Sequence, residues 1–548
     1  MTFTELNTVI SDVHVTNSSY TDQIIAKSGD PVAVFANNTF FYSVYNPVKD
    51  AEKFSSTCNI NDAGFVIIGG MGNAYHITAL YAKHPSAFFL IVEDSYGSYK
   101  TLFQQNDFSR FNKNDSFQFC TITDLEKHII DNYKPAIHGT LYFNSIRSWS
   151  SFHQTISSKI NGIIQRSLDK VSSDYSVQTH FGKVWMRNIF RNIQFLEQDC
   201  SSFTAADKLS LPVYKTAAII AAGPSLDDSI NIIKKNPEEF YIIATDTALE
   251  ILHKYNIRCD AFVTIDGQNI SSRLFTNIRS SSALPNLAVI DCSAHPNAVT
   301  FSAEKNIPVL LCSTGHPLSN WFQKKLPFIL PLYSGSGTVT ITAADFAVKA
   351  GFSSIVFFGA DFSCPKGKPY AKGSYLDTAF MSVSKRYNTI ESQFNALLFR
   401  GSVLKSNSVK YDDQNEPEIS KNAVSYFTPL LTSYKESLLA YIKTLHRTVN
   451  FYSAVPDNLS FPLYSNHFTF DEKKDNTTIK RLETIEKQIQ KFLNLFDQDS
   501  KDLDVILLPY FAWYVKSKNL KPSKSDFFLF KTLVKKQIAN YTDIYHES

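Results

Sequence analysis

The sequence contains no Cys-x-x-Cys pair, and no histidine stands at metal-finger spacing from its seven cysteines. These are scattered at positions 58, 120, 200, 259, 292, 312 and 364, so neither a disulfide framework nor a structural zinc site is indicated. Cys292 and Cys312 close apolar runs and are expected to be buried, reduced thiols. Also missing is any apolar run of the ~18 residues that a membrane span requires. The opening MTFTELNTVISDVHV has neither a basic nor an apolar segment and does not read as a signal peptide. A soluble, cytoplasmic protein is the expectation. An excess of one charge is lacking too. Lys and Arg number 54 against 51 Asp and Glu, leaving +3, so electrostatics give no reason to expect a nucleic-acid partner. Internal repeats and long low-complexity segments are absent from the sequence.

What is present is enough apolar material for real cores. Hydrophobic residues make up 44% of the chain, which excludes wholesale disorder, and the 44 Phe and 27 Tyr are expected mainly inside. At roughly 150 residues per domain the length suggests about three domains. Residues 1 to about 60 look like short strands and turns. From Gly64 the pattern becomes a β-turn-α-β unit: FVIIGG, the turn Met71-Gly72-Asn73, the helix AYHITALYAK and the strand FFLIVED. Residues 144–206 are mostly helical, with Trp185, Asn188 and Asn192 along one face.

The central block alternates apolar runs with helical stretches. Strands are expected at 217–222, 240–245, 260–265, 286–291, 307–312 and 354–359. That rhythm predicts an α/β fold with a Rossmann-like, mostly parallel sheet and helices on both faces. A smaller N-terminal α/β module and a helical C-terminal region flank it. The expected domains are 1–143 (N-terminal), 144–210 (helical linker), 211–455 (central, catalytic) and 456–548 (C-terminal, helical). In the last, Ile479, Leu482, Ile485, Ile489, Phe492 and Phe496 form a packing stripe.

Ligands of parallel α/β sheets bind beyond the carboxyl ends of the strands, and polar residues stand at several of those ends here. The first central strand stops at Gly223-Pro224-Ser225, where a glycine admits a ligand to the backbone and a helix start offers N–H groups to a phosphate. Asp227 or Asp228 is equally a helix cap. The second strand ends in Thr245-Asp246-Thr247 and the third in Asp266-Gly267-Gln268-Asn269. Ser334-Gly335-Ser336-Gly337 precedes a helix and is a second candidate anion cradle. Asp361 ends the last strand. After it, CPKGKPYAKGSYLD, with Lys366, Lys368, Lys372, Tyr370 and Tyr375, reads as a lid.

These residues carry a resemblance. GPSL, IATDTALEIL, CDAFVTID and SGSGTVTITAADFAVKAGFSSIVFFGADF, in that order, resemble the motility-associated factor (Maf) family of flagellin glycosyltransferases. The central domain of that family is similar to bacterial sialyltransferases and to the MptE-like pterin pyrophosphokinase domain. YSVYNPVKDAEKF, VIIGGMGNAYHITAL with IVED, and WMRNIFRNI extend the similarity outside the centre.

The resemblance implies transfer of a nonulosonic acid, of pseudaminic or legionaminic type, from a CMP-activated donor to Ser or Thr of flagellin, in service of flagellar assembly and motility. It places Gly223, Pro224, Ser225 and Leu226 at the nucleotide. Thr245, Asp246 and Asp266 fall at the cytidine and sugar, and Ser336, with Gly337 beside it, at the donor's carboxylate. The family lid usually carries a histidine in Gly-x-x-His-Ala-x-Gly, whereas this chain has GKPYAKG with Tyr370 in that place. Tyr370 aligns with a sialyltransferase tyrosine that meets the leaving phosphate. The base is then Asp246, Asp266 or Asp361, with His316 behind them. Asp246 and Asp266 either hold Mg²⁺ or act only as hydrogen-bond acceptors. The GGMGN turn with Glu93-Asp94 imitates a methyltransferase nucleotide site, but a structural or acceptor-binding role is expected there. Two other functions stay open: an ATP- and Mg²⁺-dependent pyrophosphokinase, and a non-catalytic flagellin chaperone.

Overall fold

The computed structural model describes residues 1–12, 18–112, 114–198, 203–204, 211, 215–268, 275, 278, 284–335, 337–365, 367–398, 405–408, 424–445, 449–454, 487–498 and 500–543. The chain forms two units, residues 1–183 with 507–548, and residues 184–506. No helix among the described residues is long and apolar enough to cross a membrane.

The first unit begins with elements that an expectation of strands and turns over residues 1–60 omits. Phe3–Ser11 is a helix, started by a capping box in which the Glu5 N–H donates to Thr2 Oγ1 and the Thr2 N–H to the Glu5 carboxylate. Pro47–Thr57 is another, capped by Asn46, which accepts from the Lys49 N–H. The expected strands and turns are found in the antiparallel hairpin of β1 (Tyr20–Ile25) and β2 (Pro31–Phe35). The β-turn-α-β unit is present as β3 (Phe65–Gly69), the helix Tyr75–Lys83 and β4 (Phe88–Glu93). With β5 (Phe117–Thr121) and β6 (Leu141–Ser145) they make a parallel sheet in the order β5-β4-β3-β6.

The glycine turn after β3 is filled by protein. A Cβ on Gly70 (φ +90°) would run into the Trp149 indole, and one on Gly72 (φ +48°) into the Phe41 ring. The fully buried Glu93 carboxylate accepts from the Tyr20 hydroxyl at 2.9 Å, the Met71 N–H at 2.5 Å and Trp149 Nε1–H at 2.9 Å. A nucleotide site would turn such an acid toward a ribose; here it holds three parts of the unit together. Burial pushes its pKa up to about 7. Two of its three partners can only donate, so Glu93→Gln sets an amide N–H against an N–H whichever way the side chain turns. We expect that variant to lose ~1–3 kcal/mol. A melting midpoint unchanged from wild type would show that the carboxylate is not this hub.

The second unit is built on β7 (Thr216–Ile220), β8 (Phe240–Thr245), β9 (Ala261–Thr264), β10 (Leu287–Asp291), β11 (Val309–Ser313), β12 (Leu330–Pro331) and β13 (Ser354–Phe358). A small antiparallel sheet follows, of β14 (Cys364–Pro365), β15 (Lys405–Ser408) and β16 (Val424–Phe427), and then β17 (Asn450–Ser453). The main sheet has eight strands in the order β12-β11-β10-β9-β8-β7-β13-β17, and all its pairs are parallel. The six expected strands lie within a residue or two of their predicted ends. The edge strands β12 and β17, of two and four residues, went unread.

Both faces of this sheet are covered, which is why its strands are apolar runs rather than alternations. Ala217 and Ile219 pack with the helix Val339–Lys349, while Ala218 and Ile220, on the opposite face, are equally buried. Chain order runs outward from β7 through β8 to β12 on one side and through β13 to β17 on the other. The switch point therefore falls between β7 and β13, and the crevice at their carboxyl ends is where such a sheet receives ligands. Cys292 and Cys312 are free and buried, as expected. Lys501–Lys518 and Lys524–Asp543 are helical. Of the packing stripe, Ile489 and Phe492 are buried, with Phe492 against Phe190, Trp321 and Phe322; positions 479, 482 and 485 lie outside the described residues.

Candidate active site

The GPS turn and Asp361 meet at the switch point. Gly223 leaves β7 with its N–H on the Gly359 carbonyl at 2.8 Å, and the Ser225 N–H donates to Asp361 Oδ2 at 2.9 Å. A side chain on Gly223 would overlap both Asp361 Oδ2 and the Gly359 carbonyl, so the close approach itself requires glycine. The Ser225 amide that a phosphate would use is thus occupied by a carboxylate. Neither Asp227 nor Asp228 caps the helix Leu226–Lys235; Ser225 takes the cap position, and its side chain makes no cap bond. Asp227 Oδ1 instead accepts the Lys372 N–H at 2.8 Å. The Ala371 N–H donates to the Ala222 carbonyl at 2.8 Å, so the segment read as a lid lies against the GPS turn through two backbone donors.

At the next strand end, Thr245 Oγ1 donates to the Ile220 carbonyl at 3.2 Å and lies 3.1 Å from Thr247 Oγ1. Asp246 opens the helix Asp246–Lys254. Its Oδ2 accepts from Thr264 Oγ1 at 2.7 Å and its Oδ1 from the Thr247 N–H at 2.7 Å. Burial raises Asp246 to about 6, and the charge of Asp266 adds to the shift. Asp266 is half-buried, accepts from the Gln268 N–H at 2.9 Å, and is itself raised by burial. Asp246 and Asp266 are therefore neighbours in one field, whereas Asp361 belongs to the switch crevice with Asp227 and Asp228.

Tyr370 lies near Asp246. Burial raises its phenol well above the ordinary tyrosine range, with Tyr375, Asp246, Cys364 and Tyr434 adding to the shift. Its hydroxyl has no hydrogen-bond partner among the described residues. His316 is different. Its Nδ1 accepts from the Leu318 N–H at 3.1 Å, which leaves the proton on Nε2, and burial holds it at about 3. It is a neutral donor rather than a base. Gly337 stands before the helix Val339–Lys349 at φ +90°, with open space where a Cβ would be; Ser336 lies outside the described residues.

Several supporting residues carried weaker signals. Asn188 Nδ2 bridges the Gly267 and Ser293 carbonyls at 3.0 and 3.1 Å, and Asn192 Nδ2 those of Cys292 and Ala294 at 2.9 and 2.8 Å. The face bearing Trp185, Asn188 and Asn192 was visible as spacing; its use, clamping the loops after β9 and β10, was not. Asp291 was missed. Buried at the end of β10, its carboxylate takes the Ser293 N–H and hydroxyl and the Thr314 N–H, tying β10 to β11. Tyr434 was missed as well, and its raised pKa, due first to burial and then to Asp266, places it beside this edge.

The family model for 6-hydroxymethylpterin diphosphokinase MptE-like proteins matches residues 187–367, a span that includes Ser225, Asp246, Asp266 and Asp361 but not Tyr370. An uncharacterized protein of Treponema pallidum (strain Nichols) is 34% identical over 148 residues, 26% of this chain and 67% of that protein. Two others from the same organism are 30% and 23% identical, and the chain spans only 56% and 43% of their lengths. Among solved structures, the Maf glycosyltransferase from Magnetospirillum magneticum AMB-1 superposes with a TM-score of 0.51 at 13% identity, over 97% of this chain and 88% of that one. The resemblance read from the sequence holds in the fold.

Asp246 gives this geometry a measurable consequence. Its folded-state value lies above the ordinary carboxylate value, so its effect on stability is most favourable below pH ~4 and is lost as pH rises through about 6. Asp246→Asn should therefore be more stable than wild type at pH 7.5, by up to about 3 kcal/mol, with the gap shrinking at pH 4.5. Equal gaps at both pH values, in thermal melts, would mean that the buried carboxylate is not raised.

Proposed function

We infer, for a chain that belongs to the same family as the uncharacterized Treponema pallidum protein of 34% identity and has the fold of a Maf glycosyltransferase, that it is itself a glycosyltransferase. The donor is a CMP-activated nonulosonic acid of pseudaminic or legionaminic type, and the acceptor a Ser or Thr of flagellin in the cytoplasm. The observation that carries this reading is the convergence of the GPS turn, Asp246, Asp266 and Tyr370 at the carboxyl edge of one parallel sheet, beside its switch point.

In the reaction the acceptor oxygen attacks the anomeric carbon. The bond from that carbon to the CMP phosphate oxygen breaks, and its electron pair leaves with the phosphate. The acceptor's proton passes to a carboxylate. Asp246 and Asp361 are almost wholly buried, whereas Asp266 is only half-buried and within reach of an acceptor, so the base is assigned to Asp266. Burial raises it toward the working pH, where a base transfers protons best. The Tyr370 hydroxyl, kept protonated, donates to the leaving phosphate. Asp266→Asn should lower kcat by ~10²–10⁴-fold with a much smaller change in KM, read as CMP released in the presence of flagellin. The acid limb of the wild-type rate profile should lie above the ordinary carboxylate range. A variant within threefold of wild type would remove Asp266 from this role.

The match to the pterin diphosphokinase model favours a second reading, transfer of pyrophosphate from ATP. Asp246 and Asp266 are the carboxylates that would hold Mg²⁺, which takes one or two carboxylates together with phosphate and water. A thermal-shift panel separates the two. Cytidine-selective stabilisation, about 2.7 kcal/mol at a hundredfold excess over Kd, supports the glycosyltransferase. ATP-selective stabilisation that needs Mg²⁺ supports the diphosphokinase. No shift with either leaves a flagellin-binding chaperone.

A further inference from the structure

Asp361 is 3% exposed, yet only one of its oxygens is satisfied. Oδ2 accepts the Ser225 N–H; Oδ1 is buried and makes no well-formed hydrogen bond among the described residues, and the Ser225 hydroxyl, although near enough to the carboxylate to help hold its pKa down, makes none either. A buried, unpaired carboxylate oxygen is costly, so its presence calls for a ligand that brings a donor. The two orphan atoms belong to residues joined by a hydrogen bond at the switch crevice, under the segment that Ala371 and Lys372 fasten down.

The chemistry narrows what that ligand offers. A carboxylate only accepts. A phosphate at neutral pH is also an acceptor and an anion, and at this turn it would meet Asp361 with Asp227 and Asp228 nearby. The group that fits is neutral, donates to Asp361 Oδ1 and can accept from the Ser225 hydroxyl. A vicinal diol does both at once, with one O–H to the carboxylate and the second oxygen receiving the serine proton. We propose that Asp361 and Ser225 bind the ribose 2′,3′-diol of the nucleotide donor, so that the phosphate lies away from the Gly223 turn. This rests on the reading of the protein as a CMP-sugar glycosyltransferase.

The test is calorimetric titration of the full chain with CMP, 2′,3′-dideoxy-CMP and UMP. Wild type should bind dideoxy-CMP about 10- to 100-fold more weakly than CMP, the loss of a hydrogen bond to a charged group. Asp361→Asn should bring the CMP to dideoxy-CMP ratio within about threefold while leaving the CMP to UMP ratio unchanged. Ser225→Ala, which keeps the carboxylate and the backbone donor, should shrink the sugar ratio part of the way, and so answers the question if the Asp361 variant does not fold. Wild-type binding of dideoxy-CMP as tight as CMP overturns the assignment and leaves the glycosyltransferase reading in place. A change confined to the CMP to UMP ratio in Asp361→Asn puts the cytosine amine there instead and also overturns it. Failure of wild type to bind CMP at all removes both.

Discussion

The bond from the Ser225 amide to Asp361 is the constraint on which the rest of the site depends. It joins β7 to β13, neighbours in the sheet whose partners here are 136 residues apart in the chain. Because the carboxylate lies against Gly223, the turn can hold no side chain at that position, and the helix Leu226–Lys235 must begin where it does. Ala371 and Lys372 then inherit their place, since they bond to Ala222 and Asp227 on either side of the same turn. A two-half sheet opens at its switch point by nature.

A second set of bonds extends this order along the edge. Thr264 at the end of β9 holds Asp246 at the end of β8. Asn188 and Asn192 span the loops after β9 and β10, and Asp291 passes the connection from β10 to β11. Ser334 donates to the Thr314 carbonyl and brings the Gly337 turn into the series. Each loop is therefore fixed by its neighbour rather than by its own sequence. Reactions that develop charge gain most from dipoles already in position, because nothing has to reorganise as the barrier is crossed.

The sequence made the strands legible because burial on both faces leaves unbroken runs such as TAAII and LAVID, which turn signals then bracket. It made Asp246, Asp266 and Asp361 legible because each directly follows such a run. What it concealed was pairing at a distance. Nothing local tells that Asp361 holds Ser225, that Asn188 reaches Gly267, or that the acid after GGMGN is occupied by Trp149. The two N-terminal helices are a different failure. Thr2 with Glu5 and Asn46 with Pro47 are start signals in plain view, but the helices they begin are only nine and eleven residues long, too short for the apolar period to stand out. The edge strands were lost for the same reason of length.

Tyr370, which stands where the Maf pattern seen in the sequence has a histidine, fits the electrostatics of this edge. Burial raises Asp246, Asp266 and Asp361, and it lowers His316, so every one of these groups is pushed toward its neutral form. An imidazole in the lid would face the same burial, tempered by the nearby carboxylates. A phenol there responds in one direction only: burial and the neighbouring charges both keep it protonated. It is a permanent donor and cannot be a base. In the proposed reaction positive charge grows on a sugar near two carboxylates, while the departing phosphate needs donors that carry no negative charge. A tyrosine meets the second requirement without disturbing the first, and the proton of the acceptor is then left to a carboxylate on the sheet edge itself.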